Sequence, residues 1–115
     1  MKNTPSLSGH GTEEWYMQRL SAVLILLLLP IALYVVVAVY HGTLTLNELQ
    51  AWLNSPTTRL CHSLLALAII THAYLGIKVI VEDYIHKALM RLVIIAIMQV
   101  ASVLLLLGWL TAIWW

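Results

Sequence analysis

Three long apolar runs, at about 20–40, 60–81 and 92–115, are separated by stretches in which the polar residues gather. Each run is close to the ~20 residues that carry a helix across ~30 Å of hydrocarbon. Backbone groups inside lipid must be satisfied within their own segment, which makes all three runs helices. Pro30, in the middle of the first run, predicts a kink rather than a break, because neighbouring helices re-satisfy the freed carbonyl. Between the first two runs, Thr45-Leu-Asn-Glu48 has capping-box spacing, with Leu44 and Leu49 placed as a hydrophobic staple. Leu46, Leu49, Trp52 and Leu53 follow at amphipathic spacing as far as Asn54-Ser55-Pro56. That predicts a short helix lying along the surface of the bilayer.

Composition supports a lipid solvent. Of the 115 residues 62% are hydrophobic and only 10% charged, and the mean hydropathy is +0.91. A soluble chain this small would have no means of hiding so much apolar surface. A net charge of +1 gives no reason to expect a nucleic-acid partner. Cys61 has no second cysteine to pair with, so no disulfide framework exists, and it reads as a small packing residue. Lys2, Arg19, Lys78, Lys87 and Arg91 lie on one side of the three-span layout and Arg59 alone in the 41–59 connection. The positive-inside rule then places the N-terminus and the 82–91 loop in the cytoplasm, and the C-terminus and the short helix in the periplasm. Trp109, Trp114 and Trp115 suit an aromatic belt on that outer side. The first 19 residues have neither the layout of a signal peptide nor the Arg-rich amphipathic character of a mitochondrial transit peptide, so a bacterial inner membrane is expected. The fold class expected is an all-α membrane protein of three transmembrane helices and a short periplasmic interfacial helix. Residues 1–19 form its cytoplasmic N-terminal segment and 20–115 its anchor domain.

Candidate chemistry sits on the second run. His72 lies near its middle, and an imidazole in hydrocarbon needs a partner; a neighbouring helix is one candidate and haem iron the other. Gly76, one turn further on the same face, would let a flat macrocycle approach, although it and Ala66, Ala68 and Ala73 serve helix packing equally well. His62 lies ten residues earlier, pointing about 80° away and ~15 Å nearer the periplasm, so the two cannot be opposite ligands of one iron. It reads as an interfacial histidine beside Arg59, with a second haem there as the lesser reading. No other intramembrane histidine of the chain matches the depth of His72. A second axial ligand would therefore come from a partner subunit, and three helices make a poor envelope for a porphyrin in any case. His10, His41 and His86 fall outside the spans, where they read as solvated, His86 with a second reading as a proton carrier.

Glu82-Asp83-Tyr84 closes the same helix, where the macrodipole disfavours negative charge. In one reading Asp83 begins a new turn, capping N–H groups around Ile85 and His86 and pairing with Lys87. In the other, Asp83 orients Tyr84, whose hydroxyl donates to a quinone carbonyl and stabilises the negative charge that reduction places there. Arg19 is a candidate to neutralise a haem propionate or a lipid phosphate. Lys78 has a stem long enough to snorkel to the cytoplasmic surface.

With these residues in place, the chain resembles the hydrophobic membrane anchor, the D-type subunit, of succinate dehydrogenase (respiratory complex II). Three segments carry the likeness, which spans essentially the whole chain. Gly11-Thr-Glu-Glu-Trp15-Tyr-Met-Gln18-Arg19-Leu-Ser21-Ala22 resembles the family's aromatic-x-x-Gln-Arg-x-(Ser/Thr)-Ala entrance to its first helix, His72-x-x-x-Gly76 its haem-ligand segment and Glu82-Asp83-Tyr84 its quinone-site segment. The resemblance implies that His72 is one axial ligand of a single haem b, the other coming from a C-type anchor subunit. It also implies that Tyr84, with Asp83 beside it, binds ubiquinone. Flavoprotein and iron–sulfur subunits would dock on the cytoplasmic face; no cysteine set or nucleotide fingerprint for their cofactors exists in this chain. On this view the chain is a non-catalytic anchor, completing a helical bundle with its partner. The rivals are the anchor of a quinol:fumarate reductase, which runs the same chemistry backwards, and a haem-free structural anchor. A small transporter is disfavoured, because paired internal repeats and a polar helix interior are missing.

Overall fold

The computed structural model describes residues 8–115. The described residues form four helices: α1 (Ser8–Tyr40), α2 (Leu46–Leu53), α3 (Pro56–Tyr84) and α4 (Ala88–Trp114). Three are long and apolar enough to cross a membrane, over Gly11–Tyr40, Pro56–Tyr84 and Ala88–Trp114. The chain is thus an all-α, multi-pass helical protein, as the hydrophobic pattern predicts. Each helix outruns its apolar core, because the capping groups that end a helix lie in the polar flanks. α1 runs unbroken through residues 11–20 and over Pro30.

The connections follow from local chemistry. α1 ends in a Schellman motif: Thr43 N–H donates to Ala38 O at 3.0 Å and Gly42 N–H to Val39 O at 3.1 Å. That closure needs a left-handed residue, and Gly42 supplies it at φ +70°. The expected capping box opens α2, with the Thr45 side chain accepting from Glu48 N–H and the Glu48 carboxylate accepting from Thr45 N–H. That bond holds the Glu48 carboxyl below its ordinary pKa. Asn54 ends α2, and Ser55 caps α3 with Pro56 at its first position, where a missing N–H costs nothing. Ile85 leaves the helical conformation (φ −102°, ψ 103°), and α4 begins three residues later.

α3 is the central helix, with α1 and α4 both packed on it. The buried side chains therefore concentrate there: Thr58, Leu65, Ala66, Ala68 and Val81. Ala66 and Ala68, each 3% exposed, mark where the neighbouring backbones come close, the small-residue packing typical of helices in lipid. α4 buries no residue at all. Large apolar side chains such as Leu26, Leu107 and Trp109 stay exposed, on a rod 67 Å long and only 24 Å across. In water that surface would be untenable; against acyl chains or another helical subunit it is the expected finish.

Candidate functional site

α1 and α3 run antiparallel, which brings the entrance segment of α1 against the middle of α3. Gln18 and Ser21, three residues apart on one face of α1, both meet His72. Its Nδ1 lies 3.1 Å from Ser21 Oγ and 3.3 Å from the Gln18 carbonyl oxygen. The Ser21 hydroxyl itself donates to that carbonyl at 2.9 Å. A carbonyl only accepts, and a hydroxyl whose proton is already committed has only lone pairs left to offer. Both neighbours of Nδ1 are therefore acceptors, which places the imidazole proton on Nδ1 and the lone pair on Nε2. Nε2 makes no hydrogen bond among the described residues. This is how a protein presents a histidine to a metal, with one nitrogen tied to a carbonyl so that the other faces outward as the ligand.

Ser21 is buried at 4% exposure, although it is a polar side chain on an apolar helix. Its contact with His72 accounts for that. Gly76 has a neighbour on the same seam, since a Cβ there would lie 3.5 Å from Gln18 Nε2. What approaches the helix at Gly76 within this chain is the Gln18 amide. Its oxygen, Gln18 Oε1, is buried without a hydrogen-bond partner. No group of three or more His, Cys, Asp or Glu gathers to hold a metal ion among the described residues. Any metal at Nε2 must draw its remaining ligands from elsewhere.

Nearer the end of α3, Lys78 does not snorkel freely. It pairs with Glu14 of α1 and lies 3.8 Å from Glu82 on its own helix. Glu82 thus has the cation that a carboxylate at a helix C-terminus requires. Asp83 has no ion pair among the described residues, and the spacing to Lys87 does not bring those two together. The helix stops at Tyr84 and the extended Ile85 breaks the i,i+4 geometry. Ile85 N–H is satisfied by Val81 O at 3.0 Å, so Asp83 does not cap it. Tyr84 projects from the helix end, 78% exposed. It stands 12 residues beyond His72, ~18 Å along the axis. Arg19 is exposed and stacks over the Trp15 ring at 5.3 Å. His41 and His86 are exposed, while Lys2 and the side chain of His10 lie outside the described residues.

The arrangement joins an imidazole whose Nε2 is unbonded among the described residues to an exposed acid and phenol at one helix end. A family model described as "Succinate dehydrogenase/Fumarate reductase transmembrane subunit" matches residues 4–106. The chain belongs to this family. It is also similar to a protein of Rickettsia bellii (strain RML369-C) described as "Succinate dehydrogenase hydrophobic membrane anchor subunit". The two are 26% identical over 114 residues, which cover 99% of this chain and 89% of that relative. The anchor family accounts for three spanning helices that carry so little buried core of their own. Sequence reasoning chose Arg19 from the entrance segment and passed over Gln18 and Ser21, the residues of that segment that touch His72. The available signal was their spacing: residues 18 and 21 share a helix face, and residue 19 lies about 100° away.

Proposed function

We propose that this chain is the D-type anchor subunit of a bacterial succinate dehydrogenase, in which His72 Nε2 is one axial ligand of a haem b shared with a C-type anchor subunit. The observation that carries this reading is the pair of acceptors around His72 Nδ1, Ser21 Oγ at 3.1 Å and Gln18 O at 3.3 Å. A histidine whose whole task was to tie α1 to α3 could use both ring nitrogens for it. This one directs both contacts through a single nitrogen and keeps the other free. A bound haem would supply a one-electron redox centre. What the chain's own residues do is hold the ring orientation and the tautomer.

The exposed Tyr84 hydroxyl donates to a carbonyl oxygen of ubiquinone, and Asp83 beside it orients the phenol at the cytoplasmic edge. Partner subunits complete that site, since a side chain with 78% exposure does not enclose a ligand by itself. The N-terminus and the 85–87 turn face the cytoplasm with Arg19, Lys78, Lys87 and Arg91, and the flavoprotein and iron–sulfur subunits dock there. The chain itself transforms no substrate. Arg19 serves a haem propionate or a lipid phosphate from the same side.

The test is an optical spectrum of the purified assembly. Wild type shows a low-spin b-type signal. His72→Ala abolishes or shifts it while succinate oxidation with an artificial acceptor persists. A spectrum unchanged in His72→Ala would remove the ligand assignment and leave a purely structural anchor.

A further inference from the structure

The opposite end of α3, ~38 Å from Tyr84 by helical rise, holds a second cluster that the haem and quinone reading does not use. We propose that Arg59 and His62 hold the phosphate of an anionic phospholipid there. In the stretch 41–62, Arg59 is the single cation among Lys and Arg, and Glu48 the single acid. Glu48 is committed to its capping box, accepting from Thr45 N–H and from the Thr45 hydroxyl at 2.8 Å each. Arg59 consequently has no ion pair among the described residues. Its contacts are a bond from Nη2 to Asn54 Oδ1 at 3.1 Å and a cation–π stack over Trp114 at 5.8 Å. Both partners are neutral.

Two polar atoms of this cluster are left over. Arg59 Nε and His62 Nε2 are buried and have no hydrogen-bond partner. Two indole rings flank them, Trp114 at Arg59 and Trp52 edge-on to His62 at 5.5 Å. Two cavities meet at Thr58 and His62, one running toward α1 past Cys61, the other lined by Arg59 and Asn54. The second has an apolar rim that includes Leu53, Trp109 and Trp115. Arg59 Nε and the uncompensated guanidinium charge therefore call for a negatively charged acceptor that enters from the cavity side attached to something apolar, and His62 Nε2 bonds to it in the tautomer that carries its proton there.

A phospholipid phosphate meets all three requirements. Tryptophans and a short amphipathic helix mark this level as the membrane–water boundary, the depth at which phosphates lie. A guanidinium matches a phosphate in both charge and fork geometry. A quinone carbonyl would satisfy a donor and leave the charge of Arg59 uncompensated, so a second quinone is the weaker occupant.

The test uses the intact assembly in nanodiscs of phosphatidylcholine with a minor fraction of phosphatidylglycerol. After mild re-extraction, the retained lipid is identified by native mass spectrometry. Wild type keeps phosphatidylglycerol several-fold above phosphatidylcholine. Arg59→Gln falls to the phosphatidylcholine background, and Arg59→Lys, which keeps the charge without the fork, falls between. Should Arg59→Gln fail to accumulate, His62→Ala decides, and it too must lower phosphatidylglycerol retention several-fold. Equal retention of the two lipids by wild type overturns the proposal, as does undiminished phosphatidylglycerol retention in the variant that decides. Labelling of His62 by a photoreactive quinone that phosphatidylglycerol does not displace also overturns it, in favour of a quinone.

Discussion

Replacing Ser21 by alanine removes the nearer of the two acceptors around His72 Nδ1, at 3.1 Å, and leaves the Gln18 carbonyl at 3.3 Å. A ligand histidine whose far N–H is hydrogen-bonded is more basic and favours the higher oxidation state of its metal. Losing one acceptor should therefore raise the haem midpoint potential. A net hydrogen bond is worth about 0.5–1.5 kcal/mol, and only the part that differs between the two redox states counts. For a one-electron couple a tenfold change in equilibrium is about 59 mV, so the whole bond corresponds to at most ~60 mV. With Gln18 still accepting, the expected rise is about 10–40 mV. Potentiometric titration of the b-type absorbance in Ser21→Ala reads the shift, with haem content measured on the same preparation. Ser21→Thr keeps a hydroxyl and should stay near wild type. Equal potentials in wild type and Ser21→Ala at full haem occupancy would refute the positioning role. An equal rise in the threonine and alanine variants would place the cause in packing at a buried contact instead.

Tyr84→Phe should depress ubiquinone reduction strongly while leaving the haem spectrum and artificial-acceptor activity intact; unaltered quinone turnover would exclude the hydroxyl from the site. Lys78→Met leaves Glu14, in a half-buried position, and Glu82 without their shared cation and should destabilise the assembly by about 1–2 kcal/mol, less than the loss for a fully buried pair. The double variant Lys78→Met/Glu14→Gln removes the Lys78–Glu14 pair and should recover the Glu14 share of that loss in a thermal-inactivation assay, whereas equal loss in both would deny the coupling. Glu48 has a depressed folded-state pKa, so its contribution to α2 is fully present above the unfolded carboxylate pKa and disappears as pH falls through the folded value. Amide exchange in α2 should accelerate on acidification relative to the base-line acid trend, and Glu48→Gln should remove that extra dependence.

Features specified by near neighbours in the chain could be read before the fold was known. The three spans follow from runs of apolar residues, and the α2 capping box follows from Thr45 and Glu48 three positions apart. Helix ends were harder. Ser55 and Pro56 start α3 four residues before its apolar run, because a cap is chosen by side-chain chemistry and not by hydropathy. The pairing of α1 with α3 was the least accessible feature, since His72 meets Ser21 across 51 positions and Lys78 meets Glu14 across 64. Such pairings depend on the register of two antiparallel helices, which the length and closure of the 41–55 connection help to set. Once the register is given, the polar residues of α1 acquire a common logic. Glu14, Gln18 and Ser21 recur at spacings of four and three, one stripe along a helix otherwise suited to lipid. That stripe meets Lys78, Gly76 and His72 in turn. A polar stripe of this kind is worth its desolvation only where it has something to hold. Here it holds an imidazole in one tautomer and a lysine in one place, on a helix whose other faces are left for lipid and for partner chains.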